Sequence, residues 1–480
     1  MSATSGSSMV AKADNALRWA LALIIGLTVF RLGMQAVNAT DLFVDEAQYW
    51  AWGQNLDWGY FSKPPVIGWL IRAVTDLAGS DAAFWVRAPA SVLHAVTAFL
   101  ILLAAREFYD DWVAAWAASL YIALPLITVG TLFMSTDTVM LPFFALALWM
   151  YGRLLRRPSR SDAAILGFAI GAGMMGKYAM MYFALCAGLA AILQPTARIR
   201  VGEAALAALV ALLVFAPNIW WNIANDGTTV RHVVEDNASW DGLRLYFDEL
   251  ALFLLSQAGV FGPILLIVLL GAGFAAARGR LRGADLTLLL LCLPIVLFVS
   301  GQALMSRAYA NWAATAYVAA PILVAALLQN RRQLLVASQG LNLAVALALP
   351  VLFAAPYALT DAKGQSVLKR YLGRADLTQQ IETVVRDAGL SVIIASNRDL
   401  LADMVYRLND TDIEVYAKAY DGPPRNFYEQ EMPYLGDGPV AYVARKPKGC
   451  DGALIAEVRG DVGQYRDRTF QIIRVDEPCR

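Results

Sequence analysis

An acidic pair, Asp45–Glu46, and a lysine followed by two prolines, Lys63–Pro64–Pro65, share one short polar and aromatic stretch of the sequence, residues 41–70. A positioned carboxylate can take a proton from a hydroxyl group. Two prolines restrict the backbone and hold the lysine in a defined place. A lysine at a membrane interface is a natural ligand for a lipid phosphate. Acid, base and phosphate anchor together are what transfer of a group from a lipid phosphate requires. Asp45, Tyr49 and Trp52 recur at i, i+4 and i+7, one face of a helix. The plainer reading of the stretch is an amphipathic helix anchored at the headgroups by Trp50, Trp58, Tyr60, Phe61 and Trp69.

Further along, Asp137 stands in Met134–Ser135–Thr136–Asp137–Thr138, where an outer loop enters an apolar run. It is a second candidate acid. Equally, Ser135, Thr136 or Asp137 can cap a helix there, and the two roles are compatible. Lys177 sits between two apolar runs, where an ionisable group is either functional or reaches to the headgroups. Arg307, Tyr309, Asn311 and Trp312 form a polar-aromatic cluster in which Arg307 can meet a phosphate, or all four can anchor an interface. His232, with Arg231 and Glu235, is a candidate contact whose plainer reading is a solvated face. His94, inside an apolar run, reads as a hydrogen-bonded packing residue. The chain has only these two histidines and four cysteines, in no zinc-like pattern. Gly167–Gly173 and Gly271–Gly273 lie in apolar helices and follow no strand, so they fail the context for a dinucleotide site.

These residues are carried by a chain of 480, 58% hydrophobic and only 16% charged. Soluble domains have about 45–50% apolar and about 25% charged residues. The surplus lies in long uncharged runs that read as membrane helices, about eleven of them: 17–37, 84–106, 111–132, 137–155, 162–176, 178–194, 203–223, 246–275, 285–304, 310–328 and 334–357. The formal net charge is zero, so bulk charge points to no nucleic-acid partner. Basic clusters at Lys12/Arg18, Arg106, Arg153–Arg160, Arg198–Arg200, Arg278–Arg282 and Arg331–Arg332 stay cytoplasmic by the positive-inside rule. The intervening loops then face outward. Residues 162–194 are either two short helices turning at Lys177 or a re-entrant hairpin.

The reading divides the chain into a cytoplasmic tail, 1–16, a membrane domain, 17–360, with a first outer loop at 38–83, and an outer domain, 361–480. In the last, helical spacing at Leu377–Ala388 and Arg398–Leu408 alternates with apolar strands at Ser391–Ala395, Ile413–Ala417, Val440–Ala444, Leu454–Val458 and Phe470–Val475. That alternation predicts a small α/β domain. Cys450 and Cys479 both fall there, and an oxidising compartment permits a bond between them.

Val44–Asp45–Glu46–Ala47–Gln48–Tyr49 and Gly59–Tyr60–Phe61–Ser62–Lys63–Pro64–Pro65 resemble the first outer loop of the GT-C membrane glycosyltransferases. The likeness is to bacterial enzymes that modify lipid A or lipopolysaccharide, of the aminoarabinose transferase and rhizobial galacturonosyltransferase types, and more distantly to protein O-mannosyltransferases. It extends over residues 17–330 through Ser135–Thr136–Asp137, Gly176–Lys177–Tyr178, Gln257 before Pro263, and Asn311–Trp312. The resemblance implies a GT-C-like all-α polytopic fold with helices in the first loop, followed by an exported domain. It implies an inverting, polyprenyl-phosphate-sugar-dependent transfer on the periplasmic face of a bacterial inner membrane, with lipid A, core oligosaccharide or another envelope glycan as acceptor.

By this resemblance Asp45 is the base or acceptor binder, with Glu46 beside it, Asp137 is the second acid, and Lys63 meets the donor phosphate. Tyr49, Tyr60, Lys177, Arg307, Asn311 and His232 are the substrate-contact candidates. Aminoarabinose transferases have a metal-binding glutamate where this chain has Ser62. No metal ligand set is therefore carried across, and a divalent metal stays an open alternative. The rival readings are a lipid-linked sugar transporter or flippase, and a protein O-mannosyltransferase.

Overall fold

The computed structural model describes residues 3–237, 244–447 and 449–476. Cys479 and the side chain of Glu235 lie outside the described residues. The chain forms two compact units. One comprises Met1–Ala36, Lys63–Val66 and Arg87–Pro350; the other comprises Val37–Ser62, Ile67–Val86 and Val351–Arg480.

The first unit is helical, as uncharged apolar runs must be where backbone groups have only one another to bond. Among the described residues six helices are long and apolar enough to cross a membrane: Asn15–Ala36, Ala83–Phe108, Thr136–Arg156, Val201–Ala224, Gly283–Met305 and Arg332–Ala354. Counting each bent pair as one span raises the number to eight. The other stretches expected to cross, Arg160–Gly176, Tyr178–Leu193 and Ala316–Leu327, are also helical but shorter.

Two expected spans are broken, for local reasons. Residues 246–275 are not one straight helix: Phe247–Phe261 and Pro263–Ala277 meet at 116°. Gly262 sits at φ +98°, where a side chain is disfavoured, and a Cβ there would lie 2.7 Å from Asn342 Oδ1. Pro263, without an N–H, then opens the second helix. Asp111–Ala123 and Pro125–Leu132 bend by 51° where Pro125 restarts the helix.

Residues 162–194 fold as two helices parted at Lys177, which is extended (φ −161°, ψ 135°). Gly167 and Gly171 let the first of them approach Val201–Ala224 backbone to backbone: a Cβ on either would lie 2.3 Å from Ala207 O or 2.7 Å from Ala211 O. In the core, Arg31 donates to Ile122 O and Thr128 Oγ1, both at 2.9 Å. His94 is buried between Tyr121 Oη (3.1 Å) and Thr138 Oγ1 (3.3 Å), the packing role its setting predicts.

The second unit contains a five-stranded sheet: β1 (Val392–Ala395), β2 (Glu414–Ala417), β3 (Val440–Ala444), β4 (Ala453–Arg459) and β5 (Thr469–Val475), in the order β2-β1-β3-β5-β4. β1 is parallel to β2 and to β3, whereas β5 is antiparallel to β3 and β4. Helices Arg374–Asp387 and Arg398–Arg407 precede and follow β1. The strands fall where apolar alternation places them, and β3 is buried throughout because it is central. In the same unit lies helix Val44–Gln54. Trp50 Nε1 donates to Asp81 Oδ1 (2.9 Å), and its ring meets Tyr406 edge-on.

The close approach at Gly167 makes a prediction. Gly167→Val forces a side chain against the Ala207 carbonyl, and overpacking of this kind costs about 3 kcal/mol. The purified variant is expected to melt several degrees lower than wild type, whereas Gly188→Ala, a site with open space around it, changes the melting temperature little.

Candidate active site

Three residues singled out by type converge in the first unit. Helix Thr136–Arg156 begins at Ser135, whose Oγ accepts the Thr138 N–H at 3.3 Å. With the cap supplied by Ser135, the neighbouring Asp137 carboxylate is left to turn elsewhere. Its Oδ1 accepts from Lys177 Nζ at 2.7 Å and its Oδ2 from Asn311 Nδ2 at 2.8 Å. Both side chains of the ion pair are largely buried, 12% exposed for Asp137 and 19% for Lys177. A buried charge survives only when paired and hydrogen-bonded, and here both carboxylate oxygens are engaged.

Each partner is itself held. Lys177 occupies the break between two helices, and the next residue, Tyr178, donates to Asn218 Oδ1 (2.8 Å) and accepts from Asn222 Nδ2 (3.2 Å). Asn311 lies on the 3-10 turn Ala310–Ala313. Gln257 Nε2 donates to Ala310 O at 3.3 Å, while Gln257 Oε1 accepts from Tyr317 Oη at 2.6 Å. Arg307 is exposed, its guanidinium 4.9 Å from the Tyr309 ring centroid. Lys63 is half-buried, with Pro64 and Pro65 buried after it, and His232 is half-buried. Among the described residues no group of three His, Cys, Asp or Glu side chains stands ready for a metal ion.

The second unit holds the other acid. Asp45 Oδ1 accepts from Arg398 Nη2 at 2.5 Å, and Arg398 Nε donates to Gln48 Oε1 at 2.8 Å. Asp45 and Gln48 are a turn apart on one helix, so a single guanidinium bridges them. Burial pulls the Arg398 guanidinium down, but the Asp45 carboxylate outweighs it and leaves its pKa raised. Arg398 was not among the expected site residues. Its signal is a local anomaly: it is the first residue of helix Arg398–Arg407, where the helix dipole disfavours a cation. Such a residue needs an acceptor from elsewhere.

The remaining first-loop candidates have structural contacts. Glu46 is buried, and its Oε2 accepts the Phe43 N–H at 2.9 Å, closing the start of helix Val44–Gln54. Tyr60 is stacked on Trp52, with ring centroids 4.8 Å apart, and donates to Trp52 O at 2.8 Å. Burial pushes its phenol up to about 12. Tyr49 is buried against the Trp52 ring at 5.0 Å. Asp41, unremarked in the sequence, accepts from Arg407 Nη2 (2.9 Å) and from the Arg374 N–H (2.8 Å).

Comparison with known proteins places this geometry in context. A model for dolichyl-phosphate-mannose-protein mannosyltransferases matches residues 62–221. The lipid A galacturonosyltransferase RgtD of Rhizobium johnstonii is 37% identical over 473 residues, covering 96% of this chain and 99% of that protein. The lipopolysaccharide core galacturonosyltransferase RgtB of the same organism is 28% identical over 300 residues, 60% of each chain. The crystal structure of ArnT from Cupriavidus metallidurans bound to undecaprenyl phosphate shares the fold, with a TM-score of 0.65 at 14% identity over 95% of this chain and 98% of that one.

The buried pair makes its own prediction. Lys177→Met strands the Asp137 carboxylate and is expected to cost about 3–5 kcal/mol. Asp137→Asn combined with Lys177→Met removes both charges and is expected to recover a large part of that loss. Denaturation of the detergent-solubilised proteins, with Asp137→Asn alone completing the cycle, measures this; a double-variant loss equal to the sum of the two single losses would show that the two side chains do not depend on each other.

Proposed function

The chain belongs to the GT-C membrane glycosyltransferases, and from that premise we propose that it transfers a uronic acid from a polyprenyl-phosphate donor to lipid A. The kinship to the lipid A relative runs over nearly the whole of both chains. The observation that carries the site is Asp45, 45% exposed and held on one oxygen by Arg398, with the enclosed Asp137–Lys177–Asn311 cluster as a separate ordered polar centre. Kinship to glycosyltransferases over nearly the whole chain favours transfer over transport. Protein O-mannosyl transfer would use the same donor chemistry with a different acceptor.

In the proposed reaction Asp45 removes the proton from the acceptor hydroxyl. The oxygen attacks the anomeric carbon from the face opposite the phosphate, forming the new glycosidic bond. The bond from that carbon to the phosphate oxygen breaks, its electron pair leaves with polyprenyl phosphate, and the configuration inverts. Lys63, with help from Arg307, neutralises the phosphate as charge develops on it. Asp137, fixed by Lys177 and Asn311, orders the polar groups around it. Arg398 positions Asp45 through a charge-assisted hydrogen bond to its Oδ1. No step here runs through a metal.

The reaction is proposed for the periplasmic face, with the N-terminus in the cytoplasm and the sheet domain outside. The basic clusters support this orientation. The disulfide-bonded state of Cys450 supports an oxidising compartment for the domain that carries it.

The test is transfer of labelled uronic acid from its polyprenyl phosphate to lipid A by the purified protein, read by mass analysis of the product. Asp45→Asn and Lys63→Ala are each expected to lower the rate by a factor of about 100 or more while leaving the melting temperature unchanged. Arg398→Ala is expected to lower kcat about tenfold, with Arg398→Lys recovering part of it. Near-normal transfer by Asp45→Asn would remove its role as base.

A further inference from the structure

The parallel part of the sheet has the order β2-β1-β3. From β1 the chain passes to one side to make β2, then crosses to the other side to make β3. The segments leaving the carboxyl ends of β1 and β3 therefore diverge and leave a crevice between them. In open α/β sheets this reversal of strand order is where ligands bind. Here it is a cavity of about 650 Å³, within the range of small-molecule sites.

Its lining comes from the positions that rule indicates. Ser396 and Asn397 follow β1, Arg445 and Lys446 follow β3, and Thr469 and Phe470 begin β5. Two cations, two hydroxyls and an amide face the space, and no carboxylate of the described residues lines it. Neither Arg445 nor Lys446 forms an ion pair with any described residue, whereas Arg386, Arg398, Arg407, Arg425, Arg459 and Arg474 of the same unit all do. Asn397 caps the ten-residue helix Arg398–Arg407, its Oδ1 accepting the N–H groups of Asp399 and Leu400. The positive end of that helix adds to the attraction for an anion. The next residue along the chain, Arg398, grips Asp45.

We propose that this crevice is a binding site for a phosphorylated saccharide, the headgroup of the acceptor lipid. Arg445 and Lys446 take the phosphate, and Ser396, Asn397 and Thr469 take sugar hydroxyls. The sheet domain thereby holds the acceptor headgroup beside the residue that positions the base. Assignment of the site to the acceptor rests on the transferase reading above; its preference for a phosphosugar does not.

The experiment is titration of the full-length protein in detergent with glucosamine 1-phosphate, with glucosamine and with inorganic phosphate. Saturable binding of the phosphosugar is expected, weakening as salt is raised. Arg445→Ala combined with Lys446→Ala is expected to lower its affinity about tenfold or more. Both side chains are exposed, so the fold is unaffected. In the transfer assay the same double variant is expected to raise the acceptor KM about tenfold, with donor KM and kcat unchanged. Inorganic phosphate binding as tightly as the phosphosugar would reduce the crevice to an adventitious anion site and overturn the proposal. So would equal binding of unphosphorylated glucosamine, or unchanged affinity in the double variant. Should the double variant lose binding yet keep its acceptor KM, the acceptor assignment falls. Should Asp45→Asn transfer normally, the mechanism falls while the titration still decides the site.

Discussion

A carboxylate enclosed by helices has to be paired, and much of the first unit is arranged around that constraint at Asp137. Taking one charge out of water costs several kcal/mol unless a counter-charge and further hydrogen bonds replace the lost solvent. Lys177 and Asn311 supply both. All three lie at interruptions of regular structure: the first turn of Thr136–Arg156, the extended residue between two helices, and a 3-10 turn. Breaking the helix frees both the side chain and the chain direction. Non-helical backbone within an apolar bundle is tolerated only where protein or a cavity satisfies it. The Gln257–Ala310 bond supplies that compensation at the 3-10 turn, and at the break the Lys177 N–H donates to Gly173 O (2.9 Å) while Lys177 O accepts the Met180 N–H (3.0 Å).

In the second unit the first-loop helix is fastened to the α/β domain by side chains distributed along both. Asp41 takes Arg407 and the Arg374 N–H, Asp45 takes Arg398, and Trp50 meets Tyr406. Arg374 and Arg398 each open a helix, where the dipole opposes a cation. Arg398 finds its carboxylate in the first loop, whereas the Arg374 guanidinium donates to Arg370 O and Gln464 Oε1 and lies 5.4 Å from the Phe43 ring. The C-terminal domain thus sets the orientation of a loop encoded over three hundred residues earlier.

The sequence discloses those parts that depend on local chemistry. Apolar runs, the alternation of the strands, and the acids and lysines standing out of apolar surroundings are all visible in short windows, and Asp137, Lys177 and Asn311 could be chosen singly. Their convergence could not, since Asp137 and Asn311 are 174 residues apart. Arg398 lies 353 residues from Asp45, and nothing in the spacing links them. Glu46 looked chemical by its neighbour, yet its position three residues after Phe43 gives it a capping bond. The break at Gly262–Pro263 was written in the two residues themselves, but hydropathy averages over such punctuation and reports one long run. Local pattern reveals which residues are unusual; only packing over long separations decides whether an unusual residue is structural or reactive.

The two paired acids are alike in having a cationic partner and differ in how far they are enclosed. Asp137 is 12% exposed with both oxygens engaged; Asp45 is 45% exposed, with its Oδ1 bonded to Arg398. A base has to meet its substrate hydroxyl directly, so an acid enclosed on both oxygens is poorly placed to act unless a partner moves away. An acid fixed on one side and open on the other needs no such rearrangement. An exposed ion pair contributes little to stability, typically about 0–1 kcal/mol. The Arg398–Asp45 contact therefore matters more for the direction of the carboxylate than for the fold. The same kind of pairing that encloses Asp137 leaves Asp45 oriented and accessible, two properties that the proposed proton removal from an acceptor sugar demands.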